Sequence, residues 1–404
     1  MCSVGGMNFS AYSEIWRFPA VRQAVLLGVL GKAPWFGVMV VLTLHVVGDL
    51  GQGYASAGAL SAVFTVAVAL ASPLRGRLLD TLGLRRTLAP SLILLPLGFI
   101  AAPFLGYWAL MAVMAGVGLL AIPWFVLTRQ LMLAAVPHDL RRPALALDSV
   151  VTEVAFMGGP TLGIVLATTW STGGTLTALA LASVSAAAIL TFINPPLVSE
   201  GRTDTAPGRG GIRSWMSGPV LTTFVATVAV SVTLAGTDLG IVAASRAMGS
   251  STVLAVVIVV WGAGSLVGGF VFGGLPHGAV GLTPLIAGLA IFTALGALGS
   301  TPWLFAILMA LAGLFCAPSI AAISERLGEI VPEASRGEAF GWQGTFNTLG
   351  SAMAPPVIGS VMDSHGWQLG LVATGAAGLA LAALGWIALR LGRRGVARHR
   401  MRNA

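Results

Sequence analysis

The chain has 404 residues, of which 56% are hydrophobic and only 9% charged, with a formal net charge of +8. A soluble chain carries roughly 25% charged residues, so this composition excludes a water-soluble globule. The apolar length suffices for about a dozen helical spans of about 20 residues each. The two cysteines, Cys2 and Cys316, make neither a disulfide framework nor a metal-ligand spacing, and no cofactor or metal is expected.

From the N-terminus, residues 1–20 lack the basic start and apolar core of a cleaved signal and contain Glu14, so a short interfacial helix near Ser13–Phe18 is expected. Six apolar stretches follow, at Val21–Val47, Ala55–Leu74, Leu88–Leu105, Tyr107–Arg129, Ala146–Thr168 and Thr175–Ile193. Six more lie at Val220–Ala244, Val253–Phe272, Leu282–Leu298, Trp303–Ile323, Ala339–Met362 and Gln368–Leu389. Each is long enough to cross a bilayer as a helix that satisfies its own backbone. The expected architecture is an all-α integral membrane protein. Residues 1–193 form one six-helix bundle and 219–390 a second; 194–218 are a cytoplasmic linker and 391–404 a basic tail.

Orientation follows from the basic residues, which collect in cytoplasmic loops. With the N-terminus inside, every Lys and Arg falls on the cytoplasmic side except Arg246, which lies outside, and Lys32, which lies within the first span. Both termini are therefore expected in the cytoplasm of a multi-pass cell-membrane protein, with the tail from Arg390 to Arg402 against anionic headgroups. The positive charge is read as this topological signal; nucleic acid is not an expected partner.

The two halves echo each other. Val136-Pro137, Arg141 and Ala144 reappear as Val331-Pro332, Arg336 and Ala339, and Pro160/Gly163 as Pro356/Gly359. Duplicated halves are a plan of secondary transporters, which bind substrate near the midplane between repeats.

Charges within hydrocarbon cost at least about 2.5 kcal/mol each and seldom survive without a partner or water. Lys32, the only lysine, is too deep to snorkel and should face a central cavity, as an anion contact or a gate ion pair. Asp238 corresponds to His45 under the offset relating Gly76 to Gly269; the two make either a proton site across the pseudo-twofold axis or two interfacial polar residues. Asp148 and Glu153 lie about 140° apart around span five and cannot face one groove. Asp148 shares a face with Thr152 and Gly159 toward the seam, and the repeat partners Gln343 and Asn347 extend that polar stripe. Glu153, the deeper carboxyl, is the stronger candidate for proton coupling, with Asp148 and Asp238 behind it. Trp35, Trp124 and Trp342 are candidates to line the cavity or to pack between helices.

Between spans two and three stand Gly76, Asp80, Gly83, Arg85 and Arg86, a glycine–acid–glycine–basic sequence with Thr81 after the acid. It resembles the signature loop of the major facilitator superfamily. The resemblance implies that Asp80 meets the helix opening at Ser335-Arg-Gly-Glu338 and latches one conformation. Arg129, ending span four, is a partner for Asp80 or simply a cytoplasmic arginine. Gly158, Gly159, Pro160 and Gly163 in span five resemble a shortened glycine–proline motif of the proton-driven efflux branch, which implies contact with Gly264/Gly268 and Gly269/Gly273 of span eight; plain helix packing accounts for them equally. An arginine often found midway along span four in that branch is absent, Ala112 or its neighbours standing there.

The expected function is thus a secondary transporter working by alternating access, a monomer exporting small organic molecules such as drugs, sugars or metabolites against protons. Uptake by symport on the same fold is the alternative, and an intramembrane enzyme a remote one. No His-Glu-x-x-His motif is present, the five histidines look scattered, and the sole lysine, followed by Ala33, excludes a phosphate-binding loop.

Overall fold

A computed structural model of the chain describes residues 10–197, 212–248 and 251–402. All its regular structure is helical, with no strand among the described residues. Span one is Pro19–Leu44, continued by a π-helical turn at His45–Asp49. Spans two and three are two helices within Tyr54–Ala101, separated at Gly83, whose non-helical backbone folds the chain back. Span four is Tyr107–Leu119 plus Trp124–Ala135; span five is Arg141–Thr169; span six is Thr172–Ile193. In the second half, spans seven to nine are Gly218–Ala247, Ser251–Gly274 and Leu282–Leu295. Span ten is Pro302–Gly313 plus Cys316–Ile330, and spans eleven and twelve share Arg336–Arg402, folded back at Gly366.

Gly83 shows why the signature turn needs glycine. Its φ of 74° and ψ of 179° lie in a region only glycine enters at low cost. Gly366 turns spans eleven and twelve by the same device, at φ 86° and ψ 164°.

Spans four and ten, expected as continuous helices, are each broken near the middle, and this is where the repeat is most visible. Both second segments carry a proline near their start, run into a 3₁₀ turn, His138–Leu140 or Glu333–Ser335, and hand over to a helix opening on arginine. Pro123 disfavours helix in the residue before it, while Pro318, in the first turn of its segment, has no N–H with which to continue the ladder from the preceding segment. A break in hydrocarbon survives only if the freed backbone groups find partners. They do. The Leu120 carbonyl accepts from Ser91 Oγ at 2.7 Å, itself held by Arg75 at 2.6 Å, and Ala317 N donates to Ser265 Oγ at 3.3 Å.

The larger apolar core fills the first half and runs on into the second through Phe224, Leu327, Val331 and Phe340. A second core lies wholly in the second half, and a small cluster of Ala146, Phe272, Leu285, Ala321 and Ala322 also bridges the two. The outer surface carries exposed Leu70, Phe104, Trp108, Phe192 and Trp303, apolar cover suited to lipid. The N-terminal helix, expected near Ser13–Phe18, is Ser10–Ile15 instead. Rather than floating at an interface it docks: Ala11 and Ile15 are buried, and Tyr12 Oη donates to the Phe270 carbonyl of span eight at 2.9 Å. Most of the expected linker lies outside the described residues, and the helix of span twelve runs on through the expected tail to Arg402.

Candidate functional site

The described hydrogen bonds and ion pairs between the halves lie between the level of Glu153 and the arginine-rich face that carries the Asp80 turn. The halves are thus clamped by polar contacts at that face, whereas beyond Glu153 the described contact between spans five and eight is apolar, Met157 against Gly262.

The clamp begins at Asp80. Its Oδ1 accepts from Gly337 N at 2.9 Å and its Oδ2 from Glu338 N at 2.8 Å, so a carboxylate from one half caps the opening turn of span eleven. Helix N-termini offer free N–H groups and a partial positive charge. Gly76 permits the approach, because a Cβ there would collide with the Gly337 carbonyl. The side chain that joins Asp80 from span four is Gln130, whose Nε2 donates to Oδ1 at 2.8 Å. Arg129, considered as a partner for Asp80, faces the interior instead, one residue being enough to turn a helical side chain by 100°. Arg85 donates to the carbonyls of Thr191 and Phe192, closing the end of span six, and Arg86 is exposed.

Beside the latch runs a second clamp that sequence reasoning missed. Arg142 Nε lies 2.9 Å from Glu325 Oε1 and 3.0 Å from Oε2, both side chains being buried. The guanidinium also donates to the Pro276 carbonyl and lies 4.8 Å from the centroid of Phe272. Tyr12 and Arg141 add further bridges, the latter 3.5 Å from Glu333.

Deeper in lies a charge cluster. Lys32 Nζ donates to Asp148 Oδ1 at 2.5 Å and to Thr152 Oγ1 at 2.9 Å, with neither Lys32 nor Asp148 exposed beyond 2%. Arg129 Nε is 3.7 Å from the other Asp148 oxygen, and its Nη1 donates across the seam to Gln343 Oε1 at 2.9 Å. Two cations thus share one carboxylate, and Phe125 and Phe340 present their ring faces to them. The face of span five bearing Asp148 and Thr152, expected at the seam, turns to span one of its own half. Its continuation does the same: a Cβ at Gly159 or Gly163 would meet Ala33 or Gly37 of span one. The expected glycine-to-glycine contact of spans five and eight is therefore corrected. Gly264 and Gly268 seat span ten, while Gly269 and Gly273 receive Val150 and Ala146 of span five.

Glu153 points the other way, into the seam. Its Oε2 lies 3.9 Å from Cys316 Sγ, with Ser265 beside both, and its Oε1 has no hydrogen-bond partner. Cys316, which makes no disulfide or metal pattern in the sequence, opens the second segment of broken span ten, so the carboxyl lies beside a helix N-terminus. Asp238 is exposed on the face of span seven opposite Gly236 and Gly240, which pack on span twelve, and its charge bears on Glu153 and Cys316. It does not meet His45. That imidazole is 2.7 Å from Asp49 and 3.0 Å from Thr172, tying span one to the start of span six. Asn347 accepts from Ser231 Oγ at 2.7 Å within its own half. Trp35 packs on Phe64, Trp342 lies beside Phe346, and Trp124, buried in the first-half core, donates to Ser183 Oγ. Above Glu153 an apolar groove of about 590 Å³ opens between spans five and eight, lined by Val154, Met157, Gly158, Thr161, Leu162, Val165 and Leu266.

Solved transporter structures share this fold. The human organic anion transporter MFSD10 (TETRAN) aligns over 91% of this chain and 100% of its own, at 16% identity and a TM-score of 0.69. A bacterial homologue of the iron transporter ferroportin, in an outward-facing state, covers 92% and 99% at 14% identity and a TM-score of 0.72. The proton:xylose symporter XylE bound to 6-bromo-6-deoxy-D-glucose covers 91% and 95% at 14% identity and a TM-score of 0.69. At such identities the likeness is one of fold. No curated protein matches the sequence. The sequence profile of the Major Facilitator Superfamily matches residues 25–277 and again residues 220–403, and the chain belongs to that superfamily.

Proposed function

We propose that this transporter exports small organic molecules across the cell membrane in exchange for protons, as a monomer with both termini in the cytoplasm. In this reading the arginine-rich face is cytoplasmic and the structure is an outward-open state. Asp80 and the Arg142–Glu325 pair close the inner gate, and the buried Lys32–Asp148–Arg129 cluster, with Gln343 across the seam, backs it.

The observation that carries the reading is Glu153. It is 5% exposed, sits at the seam between halves, and has one carboxyl oxygen without a partner and no ion-pair partner among the described residues. A carboxyl in that position can be carried between the two sides as a neutral acid and release its proton where the cavity meets water, which is what alternating access requires of a coupling group. Asp238, exposed in the same space, would pass the proton to and from the outer solution. Export is preferred over uptake because Gly158–Gly163 resembles the glycine–proline motif of the efflux branch, and here it binds span one to span five.

The test is proton flux in liposomes holding purified protein, driven in turn by a panel of organic cations, anions and sugars. Substrate-dependent flux that Glu153→Gln abolishes, while the variant still binds and exchanges substrate, supports the reading. Coupled transport by Glu153→Gln at wild-type rate would remove Glu153 from the mechanism.

A further inference from the structure

The five histidines look scattered in the sequence, but two of them meet in the fold. His138, in the turn between spans four and five, and His277, after span eight, lie with ring centroids 5.3 Å apart and planes inclined by 36°. They come from opposite halves. His277 Nε2 is 3.0 Å from Glu325 Oε1 and 3.5 Å from Glu329 Oε1, both on the second segment of span ten. One ligand atom from each of His138, His277 and Glu329 falls within 4.8 Å of the others, and all three side chains are solvent-accessible.

We propose that a divalent transition-metal ion of the zinc class binds His138, His277 and Glu329 and thereby clamps the two halves together at the arginine-rich face. Two imidazole nitrogens and a carboxylate form a donor set that suits zinc, cobalt or nickel, whereas calcium and magnesium prefer all-oxygen shells. Tetrahedral bonds of about 2.0–2.1 Å place ligand atoms about 3.3 Å apart. The His277–Glu329 separation of 3.5 Å is near that value, and small rotamer changes of exposed side chains bring in His138. The neighbouring carboxylate is already fixed: Arg142 holds Glu325, whose Oε1 lies beside the ligating His277 Nε2 and stands where a fourth ligand belongs. On metal binding, His277 gives up any proton on Nε2 and contributes that lone pair instead.

Because His138 belongs to the first half and the other ligands to the second, the set exists only while this gate is shut. An ion that binds the shut form better must shift the population toward it by the ratio of its two affinities. The site is therefore a brake on the cycle, set by metal concentration on this face and separate from the Glu153 chemistry.

The experiment is Zn²⁺ titration by calorimetry on the full-length protein, purified through a tag without histidine, with Mg²⁺ as the control ion. Amide hydrogen exchange at Gly337 and Glu338 is followed with and without Zn²⁺. One ion per chain is expected, weakened at least about tenfold by His138→Ala and by His277→Ala alike, together with slower exchange at both amides. Glu329→Gln, a gentler change at an exposed carboxylate, should weaken binding in the same direction if an alanine variant fails to fold. No Zn²⁺ binding by the wild type at millimolar concentration overturns the proposal. So does wild-type affinity in either histidine variant, which would put the ion elsewhere or within one half.

Discussion

Removing Lys32 and removing Asp148 should have unequal costs, although the two form one ion pair. Lys32→Met leaves the Asp148 carboxylate buried but still 3.7 Å from Arg129, with the Thr152 hydroxyl deprived of a donor. Asp148→Asn leaves two buried cations, Lys32 and Arg129, without a counter-charge. Breaking a buried pair from one side costs about 3–5 kcal/mol. The remaining Arg129 contact places Lys32→Met at the low end, about 3 kcal/mol, and the second stranded cation places Asp148→Asn at the high end, about 5 kcal/mol. The double variant leaves only Arg129 charged, and Gln343 still accepts from it at 2.9 Å. Its cost should thus fall clearly below the sum of about 8 kcal/mol that independent sites would give. Reversible unfolding of the purified protein by SDS in mixed micelles, read by tryptophan fluorescence, measures all three. Additive costs, or Lys32→Met costing more than Asp148→Asn, would refute the shared-carboxylate account.

Asp80→Asn keeps a single acceptor oxygen, so of the bonds from Gly337 and Glu338, which go to different carboxylate oxygens, one is lost against an NH2 group and the other loses its charge. Charge-assisted bonds are worth about 1.5–3 kcal/mol, so exchange at those two amides should accelerate by about tenfold or more. Gly76→Ala, which forces a Cβ onto the Gly337 carbonyl, should loosen the same contact with Asp80 left intact, and unchanged exchange in both variants would mean this gate is held elsewhere. Gly83→Ala tests backbone strain alone, since nothing lies within 4 Å of a Cβ there; it should lose about 1–3 kcal/mol. Gly116→Ala, equally open but helical, should be neutral or slightly stabilising.

Twelve crossings, two halves and the turn at Asp80 were legible in the sequence because each is local. Hydrophobic length sets a span, positive φ demands Gly83, and the repeated Val-Pro…Arg frame marks equivalent helix starts. Breaks within spans four and ten were less legible: proline marks both places, yet a break forms only because Ser91 and Ser265 arrive from other helices to receive the freed backbone.

Helical phase correctly separated Asp148 from Glu153, since 100° per residue is a property of the chain. Which neighbour each one faces is a property of the assembly, and there the expectations slipped. Asp148 turned to Lys32 in its own half, and His45 went to Asp49 in place of Asp238. Arg129 went to Asp148 and Gln343, and left Asp80 to Gln130. The Arg142–Glu325 clamp and the His138–His277 contact join residues 183 and 139 positions apart, respectively (325 − 142 and 277 − 138). Unlike the Asp80 loop, whose motif implied its distant partner, neither pair carries a motif that points to the other residue. The membrane-spanning helices and their order follow from the chain's own hydrophobicity and backbone. The pairing of its few charges is decided by how twelve helices pack, because in hydrocarbon each charge must find whatever partner that packing brings within reach.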